Sequence, residues 1–170
     1  MGKTVAIVLA AGRGKRMQSD VAKQYLLIKG KPVLFYSLKA FEDSVVDEII
    51  LVTAESEITY CKKEIVEKYN FNKVSRIVAG GKERYHSVHN GLKACEDAEI
   101  VLIHDGARPF VNDEIIESNI AMVKKYGAPC FPCTALTFKP RIDSHHVYTW
   151  DSPVGKPRGK ASWERHEGKP

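Results

Sequence analysis

Residues 8–25 read VLAAGRGKRMQSDVAKQY, and the rest of the chain is organised around this stretch. It joins an apolar run to Gly12 and Gly14, which lie within a group of cationic residues, and it ends in the tripeptide Lys-Gln-Tyr. Glycine can take φ > 0 and leaves room beside the backbone, so successive N–H groups of such a loop can point at phosphate oxygens. The stretch predicts a polyphosphate site, and a tight turn with a solvated basic face is the alternative.

The two common phosphate-binding loops do not match this stretch. A Walker A loop needs Gly-x-x-x-x-Gly-Lys followed by Ser or Thr, whereas residues 14–16 have neither that glycine spacing nor the hydroxyl that would hold magnesium. A dinucleotide-binding loop needs a third glycine where Met17 stands. The stretch is therefore a phosphate loop of another type.

The length and composition indicate one globular domain rather than a membrane or secreted protein. A chain of 170 residues can bury roughly 70% of the surface that it exposes when unfolded. No apolar run approaches the ~18 residues of a membrane span, and no signal-peptide pattern is found. Because the four cysteines do not form a disulfide framework, we expect a cytoplasmic location.

The net charge of +5 does not indicate a protein that binds nucleic acid specifically. Residues 1–127 contain 19 Lys and Arg against 17 Asp and Glu, and residues 128–170 contain 7 against 4, so more than half of the excess lies in the last quarter. Outside residues 13–16, the basic residues of the first part are interleaved with acidic ones. A small phosphate ligand fits this distribution better than a long polyanion does.

Apolar runs and helical patterns alternate along the first three quarters of the chain. Buried strands are predicted at residues 4–9, 48–53, 74–79 and 99–104, with residues 25–28 as a short fifth candidate. Helices are predicted from Pro32, over residues 56–69 and 83–95, and after the cap Asn112. This alternation predicts an α/β fold with a doubly wound, mostly parallel sheet in three layers, and ligands at the carboxyl ends of the strands.

Two more of these strand ends carry motifs. Residues 80–88 read GGKERYHSV after the third strand, and residues 104–109 read HDGARP after the fourth. A lone Gly-Gly or Asp-Gly is usually only a turn, but three such motifs on one edge of a sheet indicate a shared site. His104 could act there as a base. We favour the alternative that it is a strand-end residue whose contacts fix the loop.

Taken together, the three motifs resemble those of the sugar-phosphate nucleotidyltransferases, and the Lys-Gln-Tyr tripeptide resembles their cytidylyltransferase branch. The greatest similarity is to the 2-C-methyl-D-erythritol 4-phosphate cytidylyltransferase family of the non-mevalonate isoprenoid pathway. This resemblance implies a Rossmann-like nucleotidyltransferase fold and the transfer of CMP from CTP to a sugar-alcohol phosphate, with release of pyrophosphate. It also implies Mg²⁺ as cofactor and a homodimer in the intact family.

The resemblance implies roles for ten residues of this sequence. Arg16 and Lys23 match the catalytic cations, Asp105 the magnesium ligand, and Arg108 the loop that meets the sugar phosphate. The others match nucleotide contacts: Ala10, Ala11, Gly12 and Gly14 in the CTP loop, and Gly81 and Ser87 at the cytidine. The chemistry of these residue types agrees with the roles, because nucleotidyl transfer needs fixed positive charge beside phosphate oxygens and a hard oxygen ligand for Mg²⁺.

The sequence changes in character after Gly127. Six of the eight prolines and both tryptophans lie in residues 128–170, without apolar periodicity. We therefore divide the chain into a nucleotide-binding α/β core, residues 1–127, and an atypical Pro-rich tail, residues 128–170, which we expect to be poorly ordered. Two cysteines and two adjacent histidines in the tail lack zinc-finger spacing, so no zinc site is predicted. A frameshift or fusion after residue 127 is the hypothesis that explains the change, and the encoding DNA tests it.

A sheet that is incomplete at its C-terminal end has consequences for stability and function. Without the strand that normally follows the last helix, we expect an unpaired sheet edge, marginal stability and association through that edge. Such a chain would bind CTP with little or no turnover. The alternative functions are a ribitol-5-phosphate cytidylyltransferase and a CTP-binding fragment without catalysis, and nucleic-acid binding through the basic tail is a weaker third.

Overall fold

The apolar runs of the sequence form the strands of one central sheet. The computed structural model describes residues 2–12, 21–126, 135–138, 141–142 and 148–149. The strands in chain order are β1 (Lys3–Ala10), β2 (Leu27–Ile28), β3 (Lys31–Pro32), β4 (Glu48–Thr53), β5 (Val74–Ala79), β6 (Ala98–Asp105), β7 (Ala135–Phe138), β8 (Arg141–Ile142) and β9 (Tyr148–Thr149). Five of them form the main sheet in the order β5, β4, β1, β6, β7, while β2 pairs with β3 and β8 with β9.

The main sheet is parallel except at one edge. β1 pairs in parallel with β4 and β6, β4 pairs in parallel with β5, and β7 is antiparallel to β6. Val5, Ala6, Ile7 and Val8 are all 0% exposed, which is the burial on both faces that a continuous apolar run predicts for a central strand. The predicted doubly wound, mostly parallel sheet is confirmed.

In the part of the chain that the structure describes, four helices connect the strands: α1 (Val33–Asp43), α2 (Ile58–Tyr60), α3 (Arg84–Ala94) and α4 (Asp113–Tyr126). The helix α2 continues directly into a π-helical segment, Cys61–Glu67, and 3₁₀ turns lie at Lys23–Tyr25 and Glu55–Glu57. The predicted cap of the last helix is present, because Asn112 Oδ1 accepts a hydrogen bond from the Ile115 N–H at 3.0 Å. Within the described ranges, no helix is long and apolar enough to cross a membrane.

The helices cover both faces of the sheet. On one face, Leu34 and Phe41 of α1 and Ile116 of α4 pack in a single core with Ala6 and Leu102 of the sheet. On the other face, Leu92 of α3 packs in a second core that contains Ile7, Val52 and Ile103. Helix, sheet and helix therefore form the three layers that the sequence predicts.

Two predicted elements differ in the structure. The predicted helix over residues 56–69 is a 3₁₀ turn, a short α-helix and a π-helical segment in succession. The run at residues 25–28 does not join the main sheet, since only Leu27–Ile28 is extended and pairs with Lys31–Pro32 in a hairpin. Lys29 and Gly30 at its tip have φ of 49° and 77°, as a two-residue hairpin turn of type I′ requires.

The strand β7 corrects the expectation of an unpaired sheet edge after the last helix. Residues Ala135–Phe138 pair with β6, from Val101 opposite Phe138 to His104 opposite Ala135. The main sheet therefore extends into the range that the sequence analysis assigned to the tail. The sequence analysis did not predict this strand, because a run of four residues between Pro132 and Pro140 is too short to show strand periodicity. The division of the chain at residue 127 stays a prediction. The cysteines and adjacent histidines of the tail, which were considered as zinc ligands, lie outside the described residues.

Candidate functional site

The strand order places a crevice at the carboxyl end of β1. The chain passes from β1 to β4 and β5 on one side and only later to β6 on the other, so the winding direction reverses at β1. Loops diverge at such a switch point and leave space for a ligand. A cavity of about 870 Å³ lies there, lined by the ends of β1 and β6, by Lys23 and Gln24, and by residues between β5 and the first turn of α3.

Eight of the ten residues predicted for the site line this one cavity. They come from all three motifs and are Ala10, Ala11, Gly12, Lys23, Gly81, Ser87, Asp105 and Arg108. Gly14 and Arg16 lie outside the described residues. The fold thus brings together three stretches that are far apart in the sequence, while the role of each side chain stays a prediction.

The loop after β1 leaves open space beside its glycine. A Cβ added at Gly12 would meet no atom of the described residues within 4 Å, its chain neighbours aside. Gly12 does not make use of the positive φ that glycine can take. Neither this φ nor the packing of the described residues therefore requires a glycine at position 12. What Gly12 supplies is room for another molecule against the backbone.

The glycine pair after β5 is required by packing within the protein. A Cβ at Gly80 would overlap the Ala11 methyl group and would lie 2.8 Å from Ser87 Oγ, and a Cβ at Gly81 would overlap the Cβ of His86. The Gly81 N–H donates a hydrogen bond to Ser87 Oγ at 3.1 Å. Ser87 is only 4% exposed. These contacts hold the loop after β5 against the loop after β1 and form one wall of the cavity.

Two arginines hold Asp105 at the end of β6. Arg84 Nη2 lies 3.0 Å from Asp105 Oδ1, and Arg108 Nε lies 3.1 Å from Oδ2. Arg84 is the first residue of α3, so its ion pair links the segment after β5 to the segment after β6. The side chains of Arg84 and Arg108 are 54% and 57% exposed. Their charges are therefore accessible to an anion in the cavity.

His104 fixes the loop after β6 and does not line the cavity. It is 0% exposed, and its ring packs against Phe41 with 5.3 Å between the centroids. Burial lowers its pKa below the ordinary 6.5, so the neutral imidazole donates from Nε2 to the Arg108 carbonyl oxygen at 3.0 Å. Ser37 Oγ donates to the same oxygen at 3.2 Å. The interpretation of His104 as a residue that fixes the loop is confirmed.

Cationic side chains outnumber acidic ones along the lining. The cations are Lys23, Lys82, Arg84 and Arg108, and the acids are Glu55, Glu83 and Asp105. Asp105 is paired with two of these cations. A cavity with this balance attracts an anionic ligand.

Sequence reasoning assigned no role to nine further residues that line the cavity, among them Gln24, Gly80, Lys82 and Arg84. These four lie inside the quoted motifs, so the position of each motif at a strand end was the signal that could have found them, whereas Ala54 and Glu55 follow β4 and lie in none of the motifs. The sequence does not show where these side chains point. The burial of Gln24 and the pairing of Arg84 with Asp105 depend on contacts across 14 and 21 positions of the chain.

The carboxylate of Asp105 fits Mg²⁺ only in combination with a ligand. Among the described residues, no group of three or more His, Cys, Asp or Glu side chains could hold a metal ion. Asp105 Oδ1 accepts from both Nε and Nη2 of Arg84, whereas Oδ2 pairs with Arg108 Nε and can still offer a lone pair. Mg²⁺ in nucleotide sites is commonly bound by one or two carboxylates together with phosphate oxygens and water, and Asp105 meets that requirement.

Comparisons with known proteins agree with this geometry. Residues 4–139 match the family model described as 2-C-methyl-D-erythritol 4-phosphate cytidylyltransferase. The chain is similar to proteins of that name from Clostridium kluyveri, at 57% identity over 75% of this chain and 56% of the relative, and from Lachnoclostridium phytofermentans, at 51% identity over 85% and 62%.

A solved structure shows the same similarity. The crystal structure of 4-diphosphocytidyl-2C-methyl-D-erythritol synthase from Anaerococcus prevotii matches with a TM-score of 0.63 and 30% identity, over 88% of this chain and 63% of that one. The chain spans 56% to 62% of the length of the two curated relatives. The family match extends past residue 127 and includes β7.

Proposed function

Because the chain belongs to the 2-C-methyl-D-erythritol 4-phosphate cytidylyltransferase family, we propose that its strand-end cavity binds CTP. In the whole protein, this site transfers CMP from CTP to 2-C-methyl-D-erythritol 4-phosphate, with release of pyrophosphate, as a step of isoprenoid biosynthesis. The proposal includes a cytoplasmic location and a homodimer of the whole protein. The described part of the chain supplies the nucleotide side of the reaction.

One observation carries the proposal: eight residues from three separate motifs converge on one cavity at the switch point of the sheet. A set of ordinary turns would have no reason to line one concave surface with cations and open backbone. Gly12 supports the proposal further, since no atom of the described residues lies on its open side. Space beside a backbone N–H is what a closely bound phosphate needs.

The proposed reaction is an exchange of phosphate bonds. A phosphate oxygen of the acceptor attacks the α-phosphorus of CTP, and the bond from that phosphorus to the pyrophosphate oxygen breaks. Negative charge grows on the phosphate oxygens during this exchange, so the protein acts by placing and neutralising it. Lys23 at the cavity wall supplies a fixed positive charge, and Arg16 is proposed as the second cation. One such preorganised group contributes roughly 3 kcal/mol to lowering the barrier.

Mg²⁺ is the proposed cofactor, with Asp105 as its protein ligand. When bound, the ion neutralises part of the charge on the triphosphate. Arg84 and Arg108 keep the Asp105 carboxylate in place at the end of β6, as the ion pairs of 3.0 Å and 3.1 Å indicate. The carboxylate then faces the cavity in a defined orientation before the nucleotide arrives.

A second candidate function is CTP binding without catalysis. The described residues that line the cavity all lie between positions 9 and 108, whereas the chain spans only 56% of the Clostridium kluyveri relative. A nucleotide site of this kind can be complete while the wall that receives the acceptor is not. Binding and transfer are therefore measured separately on the same sample.

Calorimetric titration with CTP and Mg²⁺ tests binding, with UTP and GTP as controls for base selectivity. Pyrophosphate release is then followed with methylerythritol phosphate and, for comparison, with ribitol 5-phosphate. Release with the first acceptor supports the transferase, and binding without release supports the second candidate. A chain that unfolds cooperatively but does not bind CTP contradicts both.

The variant Lys23→Ala separates binding from catalysis. We expect pyrophosphate release to fall by about 100-fold, with a much smaller change in CTP affinity, because the lysine charge acts mainly when the α-phosphate is attacked. Equal losses in rate and affinity would make Lys23 an ordinary phosphate anchor instead.

A further inference from the structure

Lys23 lies on a turn that is too short to hold itself in place. The 3₁₀ turn Lys23–Tyr25 has three residues, and no side chain caps its N-terminus. A lysine in such a turn would sample many backbone positions and rotamers. Lys23 is nevertheless half-buried and lines the cavity. Contacts elsewhere in the turn must therefore fix its position.

The first of these contacts is made by Gln24. Its Nε2 donates a hydrogen bond of 2.6 Å to the carbonyl oxygen of Ala10, the last residue of β1. Both residues are 3% exposed. A buried amide that lost this partner would leave a carbonyl unsatisfied, so the bond holds the turn firmly to β1.

The second contact is made by Tyr25. Its hydroxyl donates to Glu57 Oε2 at 2.8 Å and lies 3.1 Å from both Thr53 Oγ1 and Cys61 Sγ. Thr53 and Cys61 are completely buried. Burial raises the pKa of Tyr25 far above its usual value, so the hydroxyl keeps its proton and remains a donor. The ring also meets Tyr60 edge-on, with 5.2 Å between the centroids.

The two contacts are coupled by the register of the sheet. Ala10 and Thr53 are the last residues of β1 and β4, and they are paired with each other across the two strands. Two successive residues of the turn therefore bind two facing strand ends. One attachment would let the turn swing about it, whereas two attachments on different strands fix its orientation as well as its position. The adjacent Lys23 is then directed to the cavity.

We propose that Gln24 and Tyr25 are positioning residues for Lys23, which they hold over the paired ends of β1 and β4 where the α-phosphate of the nucleotide reacts. This inference rests on the proposed function. It differs from a purely structural role because the effect of each residue should pass through Lys23. Misplacement of a reacting group by about 1 Å can lower a rate by as much as ~100-fold.

The variants Gln24→Met and Tyr25→Phe each remove the polar group and nearly keep the shape of the side chain. Asn119→Leu and Tyr36→Phe are matched controls, because Asn119 Nδ2 donates to the Ile115 carbonyl oxygen at 2.7 Å and the Tyr36 hydroxyl donates to the Ile28 carbonyl oxygen at 2.6 Å. Neither control residue lines the cavity. Each variant is also made in a Lys23→Ala background.

The direct measurement is the NMR signal of Lys23 in ¹³C-methylated protein, assigned by its loss in Lys23→Ala. We expect Gln24→Met and Tyr25→Phe to move this signal towards that of free lysines, and the two controls to leave it unchanged even where they lower the melting temperature. The affinity for CTP with Mg²⁺ should change by less than about threefold, and pyrophosphate release should fall by about tenfold. In the Lys23→Ala background the further loss should be under about twofold, as expected for groups that act as a unit.

An unchanged Lys23 signal in folded Gln24→Met and Tyr25→Phe overturns the inference, and so do losses of rate that multiply with that of Lys23→Ala. Should Gln24→Met not fold, Tyr25→Phe and Glu57→Gln decide the question through the same signal. A chain that does not bind CTP refutes the proposed function, whereas the Lys23 signal still shows whether the two residues position the lysine. The two failures are therefore distinguishable.

Discussion

Glycines stand at the ends of β1 and β5 for opposite reasons. A Cβ at Gly12, after β1, would meet no atom of the described residues, whereas a Cβ at Gly80, after β5, would overlap Ala11. The first glycine leaves space that the described residues do not fill, where we propose that the nucleotide lies. The second loop is shaped to pack against the first. The difference separates residues that face a ligand from residues that hold the walls of its site.

The same division applies to the polar side chains of the site. Lys23, Arg84 and Arg108 line the cavity and are at least partly accessible. His104 is buried, and its hydrogen bond is to the backbone of the loop itself. Substitutions of the first kind should change ligand affinity or rate with little effect on stability. Substitutions of the second kind should change stability first.

The largest effect on affinity is expected from Gly12→Val. The Cβ of the new side chain would meet no atom of the described residues, so we expect the free energy of unfolding to change by less than about 0.5 kcal/mol. The affinity for CTP should fall by about 100-fold, because a bound phosphate would meet the new methyl groups. Calorimetry and denaturant unfolding measure the two quantities, and Gly12→Ala should give an intermediate loss. Undiminished CTP binding by Gly12→Val would place the nucleotide elsewhere.

The converse result is expected from Gly80→Ala. The added methyl group overlaps that of Ala11, and such overpacking lowers the free energy of unfolding by about 1–3 kcal/mol. The second-site variant Ala11→Gly removes the overlapping methyl and should restore part of this loss in the double variant. Urea unfolding of the single and double variants measures the effect. A Gly80→Ala protein as stable as the wild type would contradict the packing assignment.

Much of this arrangement could be predicted from the sequence because it depends on local patterns. The strands at residues 48–53 and 74–79 have the predicted bounds, since apolar runs between turn residues mark buried strands without reference to the rest of the chain. The edge at which the three motifs meet follows from the parallel sheet alone. The family resemblance then supplied the candidate residues, and eight of the ten line the cavity.

The rest depends on contacts between distant residues. The π-helical segment Cys61–Glu67 buries Cys61 and Ile65, and this spacing of four is equally suited to an α-helix. Gln24 is 3% exposed because it reaches Ala10, which its polar character does not suggest. Whether a glycine serves packing or a ligand is decided by what lies beside it in space, as Gly12 and Gly80 show.

A smaller effect is expected from the titration of His104, which is one of the residues that hold the walls of the site. The pKa of His104 in the folded protein is lower than its ordinary 6.5, so below that pH the unfolded chain binds more protons and stability falls as the pH falls. We expect His104 to lower the free energy of unfolding between about pH 7.5 and pH 5.5, by at most about 1.4 kcal/mol, the value for an imidazole that stays neutral in the folded protein over this range. The low pKa of Glu48 acts below its usual 4.5, outside this window. Urea unfolding at both pH values tests this, and His104→Gln should lose less stability than the wild type over the same range.

A small effect on both stability and affinity is expected from Arg84→Gln, which tests a residue that belongs to both groups. Arg84 is paired with Asp105, but its side chain is 54% exposed, and such ion pairs contribute only about 0.2–1 kcal/mol because solvent screens them. The variant Arg76→Gln is a matched control, since Arg76 pairs with Glu96 at 2.9 Å with 41% exposure and does not line the cavity. We expect both variants to lose similarly little stability, while only Arg84→Gln weakens CTP binding, by about 3- to 10-fold, since the cavity loses one accessible cation.

Calorimetry at two salt concentrations should also show a weaker salt dependence for Arg84→Gln than for the control. If Arg84→Gln lowered stability by well over about 1 kcal/mol and left CTP affinity unchanged, its ion pair with Asp105 would belong to the walls of the site, and the division between ligand-facing and wall residues would have to be redrawn at α3.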